Sequence, residues 1–358
     1  MRYLFLALLI TATFSKPHAQ GCVAIRSNGG TCTMSDPSHG SHSGWVLGLN
    51  ARYFKSFRHF SATEEQKQRL EQHTEVINHT TVLDLGLTRT INSRWSLAFY
   101  VPLMNNARSS LYEHDRKNRY STHSFGLGDA RFAAYRWLLD PAVHMKKNVQ
   151  LGLGIKLPTG DYRYQDYFHI SDTTPLRLGP VDQSIQLGDG GTGLTLELNT
   201  FYHIAPNISL YGNGYYLMNP REQNGVSTTR GGIASDTTKL YTTDVMSVPD
   251  QYMVRAGVSY AVNGLTLSVG GRMECVPVHD LIGGNKGFRR PGYVLSVEPV
   301  VAYKMKRAQV YLSVPYAVER ARTQSVPDKI RSGLTKTSYT GDAAFADYSI
   351  NAGVAFRL

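Results

Sequence analysis

Four short stretches of the 358-residue chain hold residue types that could do chemistry. His39-Gly40-Ser41-His42 and the set Cys275, His279 and Asp280 contain metal-ligand types, and His169-Ile170-Ser171-Asp172 contains a nucleophile, a base and an acid. A structural zinc site requires four ligands, and a catalytic triad requires its base to be aimed at the nucleophile. Adjacency within a loop provides neither arrangement. We therefore predict no metal and no catalytic residue.

The fourth stretch is glycine-rich: Gly188-Asp189-Gly190-Gly191-Thr192-Gly193. It resembles a phosphate-binding loop only superficially, because that loop needs a following lysine and helix. We interpret it as a flexible bend at the rim of a sheet and predict no cofactor.

The amino terminus has the pattern of a secretory signal peptide over residues 1–20. Met1-Arg2-Tyr3 precedes the apolar run 4–14, and the small residue Ala19 lies close to the expected cut. A lipoprotein acylated at Cys22 is the alternative, but the usual leucine before that cysteine is missing. Later segments hold no apolar run of the roughly 20 residues that a spanning helix needs, so any membrane residence must come from strands.

The rest of the chain, residues 45–358, alternates apolar and polar residues with a period of two in segments of about ten residues. This pattern predicts an all-β fold, a transmembrane antiparallel β-barrel of about twelve strands. We place the strands near 45–57, 80–91, 95–103, 123–138, 149–157, 193–204, 208–218, 251–262, 265–275, 292–304, 309–318 and 345–358. The fourth strand is the least regular, and its glycines indicate a bulge.

Connections between these segments alternate between tight turns and long polar loops. Asn263-Gly264 is a strong signal for a type I′ hairpin, and the long loops near 58–79, 105–122, 159–192, 219–250, 276–291 and 319–344 fall between the short turns. Short periplasmic turns and long external loops are typical of bacterial outer-membrane barrels. The last strand resembles the signal that barrel-assembly machinery recognises, so that machinery is an expected partner.

The formal net charge of +11 does not indicate a nucleic-acid-binding protein. No basic stripe is interleaved with stacking aromatic residues, and the basic residues gather at the tight turns instead. There they can meet the headgroups of outer-membrane lipids. The residues concerned are Arg89, Arg94, Arg136, Lys146, Lys147, Lys304, Lys306 and Arg307.

Charged residues on the inward faces of the strands are nearly balanced in sign, which predicts a narrow or partly filled lumen. The predicted lumen-lining residues are Arg52, Asp84, Lys156, Glu197, Arg255, Arg272, Glu274, Glu298 and Asp347, with Asp129 and Arg131 as weaker candidates. Residues 21–44 precede the first strand as a periplasmic or lumen-plugging segment. Cys22 and Cys32 within it can pair in an oxidising compartment.

Two runs of residues carry a family resemblance. Gly126-Leu127-Gly128-Asp129 and the stretch ending Leu157-Pro158-Thr159-Gly160-Asp161 resemble outer-membrane transporter-like proteins of the phenol-degradation (MetA-pathway) type, which are distantly similar to long-chain fatty acid transporters. The resemblance implies a barrel that takes up or exports small molecules, hydrophobic ones included. Residues 21–44 are shorter than the hatch of the fatty acid transporters.

The expected function is therefore an outer-membrane channel or transporter for a small-molecule solute. A structural or surface-interaction barrel with ligand-binding outer loops is the alternative, and an outer-membrane hydrolase is less favoured.

Overall fold

The computed structural model describes residues 44–171, 173 and 176–358. Its nineteen strands in that part of the chain are β1 (Gly44–Ser61), β2 (Glu64–Glu65), β3 (Ile77–Thr90), β4 (Trp95–Ser110), β5 (Tyr120–Leu127), β6 (Arg131–Trp137), β7 (Lys147–Lys156), β8 (Gln165–Phe168), β9 (Arg177–Pro180), β10 (Gly193–Ala205), β11 (Ile208–Met218), β12 (Gln223–Ser227), β13 (Val245–Ser247), β14 (Gln251–Val262), β15 (Leu265–Val276), β16 (Gly292–Lys304), β17 (Ala308–Ser313), β18 (Tyr316–Ala321) and β19 (Ala343–Arg357). Its helices are α1 (Gln68–Glu71), α2 (Asp236–Leu240), α3 (Val326–Thr335) and a 3-10 turn (Gln183–Ile185).

Neighbouring strands pair antiparallel around a closed barrel. The sheet runs from β1 through β3, β4, β6, β7, β10, β11, β14, β15 and β16, and the last strand β19 pairs with β1 to complete the ring. The ring has twelve strand positions, which we call staves. Two of them are each formed by two shorter strands, β5 with β6 and β17 with β18. The predicted all-β barrel of twelve strands is therefore confirmed.

The fourth stave is interrupted at Gly128–Ala130, where the sequence predicts a bulge. On the side of the break that leads to the tight turns, β6 pairs with β4 on one edge and with β7 on the other. On the side that leads to the long loops, β4 is the one barrel strand among the described residues that pairs with β5, because the chain after β7 leaves the wall. The edge of β5 that faces away from β4 instead contacts the β8–β9 hairpin, where the backbone N–H of His123 donates to Asp166 at 2.7 Å.

The two faces of the wall differ as the period of two predicts. Leucines and valines such as Leu153, Leu196 and Val269 point outward and are exposed, as a lipid-facing band requires. At the end with the tight turns, exposed aromatic rings carry cations on their faces: Arg89 lies over Trp45 and Arg136 over Trp95. Aromatic rings with adjacent cations mark the membrane interface.

Several strands are longer than the sequence indicates. β1 continues to Ser61, β4 continues to Ser110, and β3 already begins at Ile77. These outer ends of the strands are polar, so their period-two pattern has no apolar face to mark it. The first long loop contains a single helical turn, α1.

None of the helices among the described residues is long and apolar enough to cross a membrane. The predicted signal peptide, the 21–44 plug, Cys22, Cys32 and the His39–His42 pair lie outside the described residues, apart from Gly44 itself.

The turn between β14 and β15 offers a test of the hairpin chemistry. Asn263 and Gly264 both have positive φ, 49° and 83°, as a type I′ turn requires. Gly264→Ala places a Cβ in the left-handed region and should cost about 1–2 kcal/mol. Urea unfolding of vesicle-inserted protein measures the loss. Gly271→Ala, in β15, is the control because its Cβ would meet no atom within 4 Å. Equal stability of the two variants would contradict the turn assignment.

Candidate functional site

One group of buried charges lies along the inner faces of β1, β14, β15 and β16. The Arg272 guanidinium is 2.8 Å from Glu274 and 3.3 Å from Glu298. Arg255 reaches Glu298 at 3.6 Å, and Arg52 lies 3.9 Å from Glu274. All three guanidiniums are at most 4% exposed. The chain of alternating charges links strands that are separated in sequence by more than two hundred residues.

A second group surrounds Arg131 on β6. Its guanidinium is paired with Glu197 of β10, and the Tyr135 hydroxyl donates to the same carboxylate at 3.0 Å. The face of Arg131 lies 4.5 Å from the Tyr100 ring centroid and 5.6 Å from that of Tyr215. Planar stacking with a carboxylate at the edge is the geometry that arginine favours in buried sites.

Two of the other predicted lumen-lining residues are Asp84 and Asp347, of which Asp84 lies within electrostatic reach of Arg52 and Arg131. Asp84 is buried on β3 opposite Asn50 of β1. Asp347 lies near the outer end of β19, where Arg58 and Arg320 bind it at 2.8 and 2.6 Å.

Lys156 brings together the motifs that the sequence analysis treated separately. Its ammonium lies between the carboxylates of Asp129, at 3.4 Å, and Asp189. Asp129 also accepts hydrogen bonds from the backbone N–H groups of Gly160 and Asp189, at 3.0 and 3.2 Å. The Gly126–Asp129, Leu157–Asp161 and Gly188–Gly193 runs therefore meet at one point, which we call the lysine knot (Asp129, Lys156 and Asp189).

Around the lysine knot the backbone is tightly packed. The Thr159 hydroxyl donates to the Gly128 carbonyl at 3.1 Å and accepts from the Ala130 N–H at 2.8 Å. A Cβ on Gly188 would lie 2.7 Å from the Gly160 carbonyl oxygen. The prediction of a flexible bend at 188–193 is therefore wrong in its flexibility: buried neighbours and hydrogen bonds hold the segment.

The lysine knot holds the third long loop against the inner wall. Leu187 packs between Val82 and Met104, and Ile185 in the 3-10 turn is fully buried. The Arg108 guanidinium donates to the Ser184 hydroxyl at 3.3 Å. The sequence assigned this loop to the outside, whereas residues 183–189 in fact line the inner side of β3 and β4.

Above the inserted loop, ion pairs join the outer loops to one another. Arg290 binds Asp182 through two nitrogens, at 2.6 and 2.8 Å, and Arg108 lies 3.6 Å from the same carboxylate. Burial alone would raise the pKa of Asp182, but the Arg108 and Arg290 guanidiniums hold that pKa well below its usual value. The carboxylate therefore stays charged at neutral pH.

The stretches with candidate chemistry have structural partners instead. Both oxygens of Asp280 accept hydrogen bonds from Arg289, at 2.8 and 2.7 Å. His169 stacks on Tyr120 with a centroid distance of 3.8 Å, and Asp172 lies outside the described residues. In the part of the chain that the structure describes, no group of three metal-ligating side chains converges.

No family model matches the sequence, and no curated protein matches it. Solved structures do match the fold. An outer-membrane channel from Pseudomonas putida F1 superposes with a TM-score of 0.58 at 11% identity, over 93% of this chain and 100% of that one. The chain has the fold of an outer-membrane β-barrel.

Two further matches have lower TM-scores. The toluene transporter TodX of P. putida gives 0.42 at 10% identity, over 94% of this chain and 95% of that one. The β domain of the Bordetella autotransporter BrkA gives 0.44 at 13% identity, over 87% and 100%. Both scores are too low to support an inference.

Removing the charge of the lysine knot should release the inserted loop. Lys156→Met leaves Asp129 and Asp189 close together without a cation, which costs about 3–5 kcal/mol for a buried ion pair. We expect higher ion conductance in planar bilayers and a lower temperature for the heat-induced gel shift. Lys147→Met, exposed at the other end of β7, is the control. Unchanged conductance and gel shift in the Lys156 variant would contradict the anchoring role.

The inner charges should set the ion preference of any conductance. Glu298→Gln leaves the buried Arg255 and Arg272 with one carboxylate fewer. The reversal potential in a KCl gradient should therefore shift toward the equilibrium potential of chloride. Glu64→Gln, exposed on β2, is the control and should not shift it. A Glu298 variant with the wild-type reversal potential would show that the residual leak of ions bypasses the layer of Arg255, Arg272 and Glu298.

Proposed function

We propose that this protein is an outer-membrane channel that admits small apolar solutes rather than hydrophilic ones. The observation that carries the proposal is a lumen obstructed at two levels. Buried ion pairs lie along the inner wall at mid-height, where Arg52 of β1 reaches Glu274 of β15, and the inserted loop, held by the lysine knot, lies against the outer half. An ion or sugar crossing these levels would have to separate paired charges in a site with little water, which is costly.

An apolar solute has a less costly route beside the inserted loop. There the inserted loop meets the wall through an apolar contact: Leu187 of the loop packs against Val82 and Met104. Directly adjacent, the fourth barrel strand is broken at Gly128–Ala130, and no barrel strand in the described part of the chain pairs with the edge of β5 that faces away from β4. This part of the wall is closed by the contact between β5 and the β8–β9 hairpin. Hydrogen bonds to side chains hold that contact, in place of a continuous row of backbone hydrogen bonds between strands. We infer that apolar solutes pass between the two.

Whole cells provide the test, because the lipopolysaccharide leaflet slows the entry of apolar molecules. We expect Escherichia coli cells that express the chain to accumulate the fluorescent probe N-phenyl-1-naphthylamine several-fold faster than cells with empty vector. Hydrolysis of nitrocefin by a periplasmic β-lactamase should not accelerate. Equal acceleration of both probes would indicate a general pore, and acceleration of neither would exclude the channel.

The route has its own test. His123→Cys with Asp166→Cys replaces a side-chain contact of 3.8 Å between β5 and β8 with a disulfide. Oxidation should slow probe entry and dithiothreitol should restore it, while the same treatments leave wild-type cells unchanged. Entry that is insensitive to the disulfide would place the route elsewhere.

A further inference from the structure

A cavity of about 420 Å³ lies among the outer loops, above the inserted loop. It is lined by residues from the 180–182, 228–246, 288–290 and 322–342 segments. The volume is within the range of small-molecule sites, about 300–1,000 Å³. Five arginines and three aspartates contribute to the lining, so the pairing of these charges determines what the cavity can bind.

Four of the five arginines are neutralised by a carboxylate. Arg230 binds Glu113 at 3.1 Å and Arg289 binds Asp280 at 2.7 Å. The other two pairs are Arg290 with Asp182, at 2.6 Å, and Arg322 with Asp328, at 3.0 Å.

The lining carboxylates are likewise engaged. Asp182 and Asp328 belong to the pairs above, and Asp342 is bound by His59 at 2.9 Å and by Arg69. None of the three is available to a cationic ligand.

Arg331 is the remaining arginine, and it differs from the others. Among the described residues no carboxylate forms an ion pair with it. Its guanidinium lies 3.6 Å from the Tyr339 ring centroid and 5.8 Å from that of Tyr241. Stacking engages the face of the guanidinium and leaves the N–H donors at its edge for a planar acceptor. The cavity therefore holds one fixed positive charge without a counter-charge.

Local sequence fixes this position. Ser325 caps α3 through a reciprocal bond with Asp328, and Asp328 also binds Arg322. Arg331 follows Asp328 by three residues, so both lie on the same face of the helix. The helix is thereby held in an orientation that presents Arg331 to the cavity.

We propose that this cavity is a binding site for a small monoanion, an aromatic carboxylate, with its carboxylate on Arg331 and its ring among the aromatic and methionine side chains of the lining. A single uncompensated guanidinium matches one negative charge. Carboxylate recognition by arginine is planar and bidentate, and Phe288 and Met246 supply apolar lining. The proposal goes beyond the proposed function: an anion is not among the apolar solutes that the route beside the inserted loop admits, so the cavity binds it at the mouth.

Calorimetric titration of the detergent-solubilised full chain with sodium benzoate, and with benzyl alcohol as the neutral match, tests the site. We expect benzoate to bind more tightly than benzyl alcohol. Arg331→Gln should weaken benzoate binding by about tenfold, the contribution of a hydrogen bond to a charged group, and should leave benzyl alcohol unaffected. The heat-induced gel shift checks that the barrel is folded.

Arg163→Gln is the matched control, because Arg163 also stacks on a tyrosine, with 5.1 Å to the Tyr162 centroid, but does not line the cavity. It should bind benzoate as the wild type does. Absence of benzoate binding by the wild type, equal binding by the Arg331 variant, or an equal loss in the Arg163 variant would overturn the site. Probe entry into cells is measured separately, so failure of the site is distinguishable from failure of the channel.

Discussion

A single ammonium group placed between two carboxylates holds the interior of this barrel in its observed arrangement. Lys156 ends β7 at the point where the chain leaves the wall, and Asp129 and Asp189 come from segments 27 and 33 residues away. All three side chains are about nine-tenths buried. An unpaired charge in a buried site is strongly disfavoured, so the three groups depend on one another.

The consequences of this pairing extend through the outer half of the molecule. With Asp189 fixed, the preceding residues 183–188 must run along the inner wall, where Ile185 and Leu187 find apolar contacts. Asp182, one residue before that stretch, is then in reach of Arg108 on the wall and Arg290 on another loop. The same pairing therefore connects the strands, the inserted loop and the cavity at the mouth.

The sequence allowed much of the fold to be predicted because strand periodicity and turn chemistry are local. The inward charges and the Asn263-Gly264 turn depend on residues that are near one another in the chain, and the exposed leucines follow from the same alternation. The extent of β1 and β4 was missed, because their outer ends have no lipid-facing side and hence no contrast between faces. The glycine run at 188–193 was correctly predicted to be a bend, but composition could not show how tightly that bend is packed.

The candidate site was less accessible to prediction. Charge balance in the lumen indicated that the charges pair, but it did not identify which residue pairs with which. In the structure, Arg272 pairs with Glu274 two residues away and with Glu298 on the neighbouring strand. Nothing local distinguished Arg331 from the other arginines of the outer loops. Its lack of a counter-charge among the described residues is a property of the assembled cavity, since it appears only once the lining aspartates Asp182, Asp328 and Asp342 have been assigned to other cations.

By itself, the sequence determined that this chain forms a twelve-stranded barrel with basic tight turns and a polar, charge-balanced inner face. Those features follow from which side of a strand meets lipid, and a period of two records that directly. Folding adds three facts that the local pattern does not contain: three separate motifs meet at Lys156, the third loop enters the lumen, and Arg331 has no carboxylate partner among the described residues. These depend on the distances between charges that are remote in sequence, and electrostatic pairing in a water-poor interior is sensitive to a few ångströms.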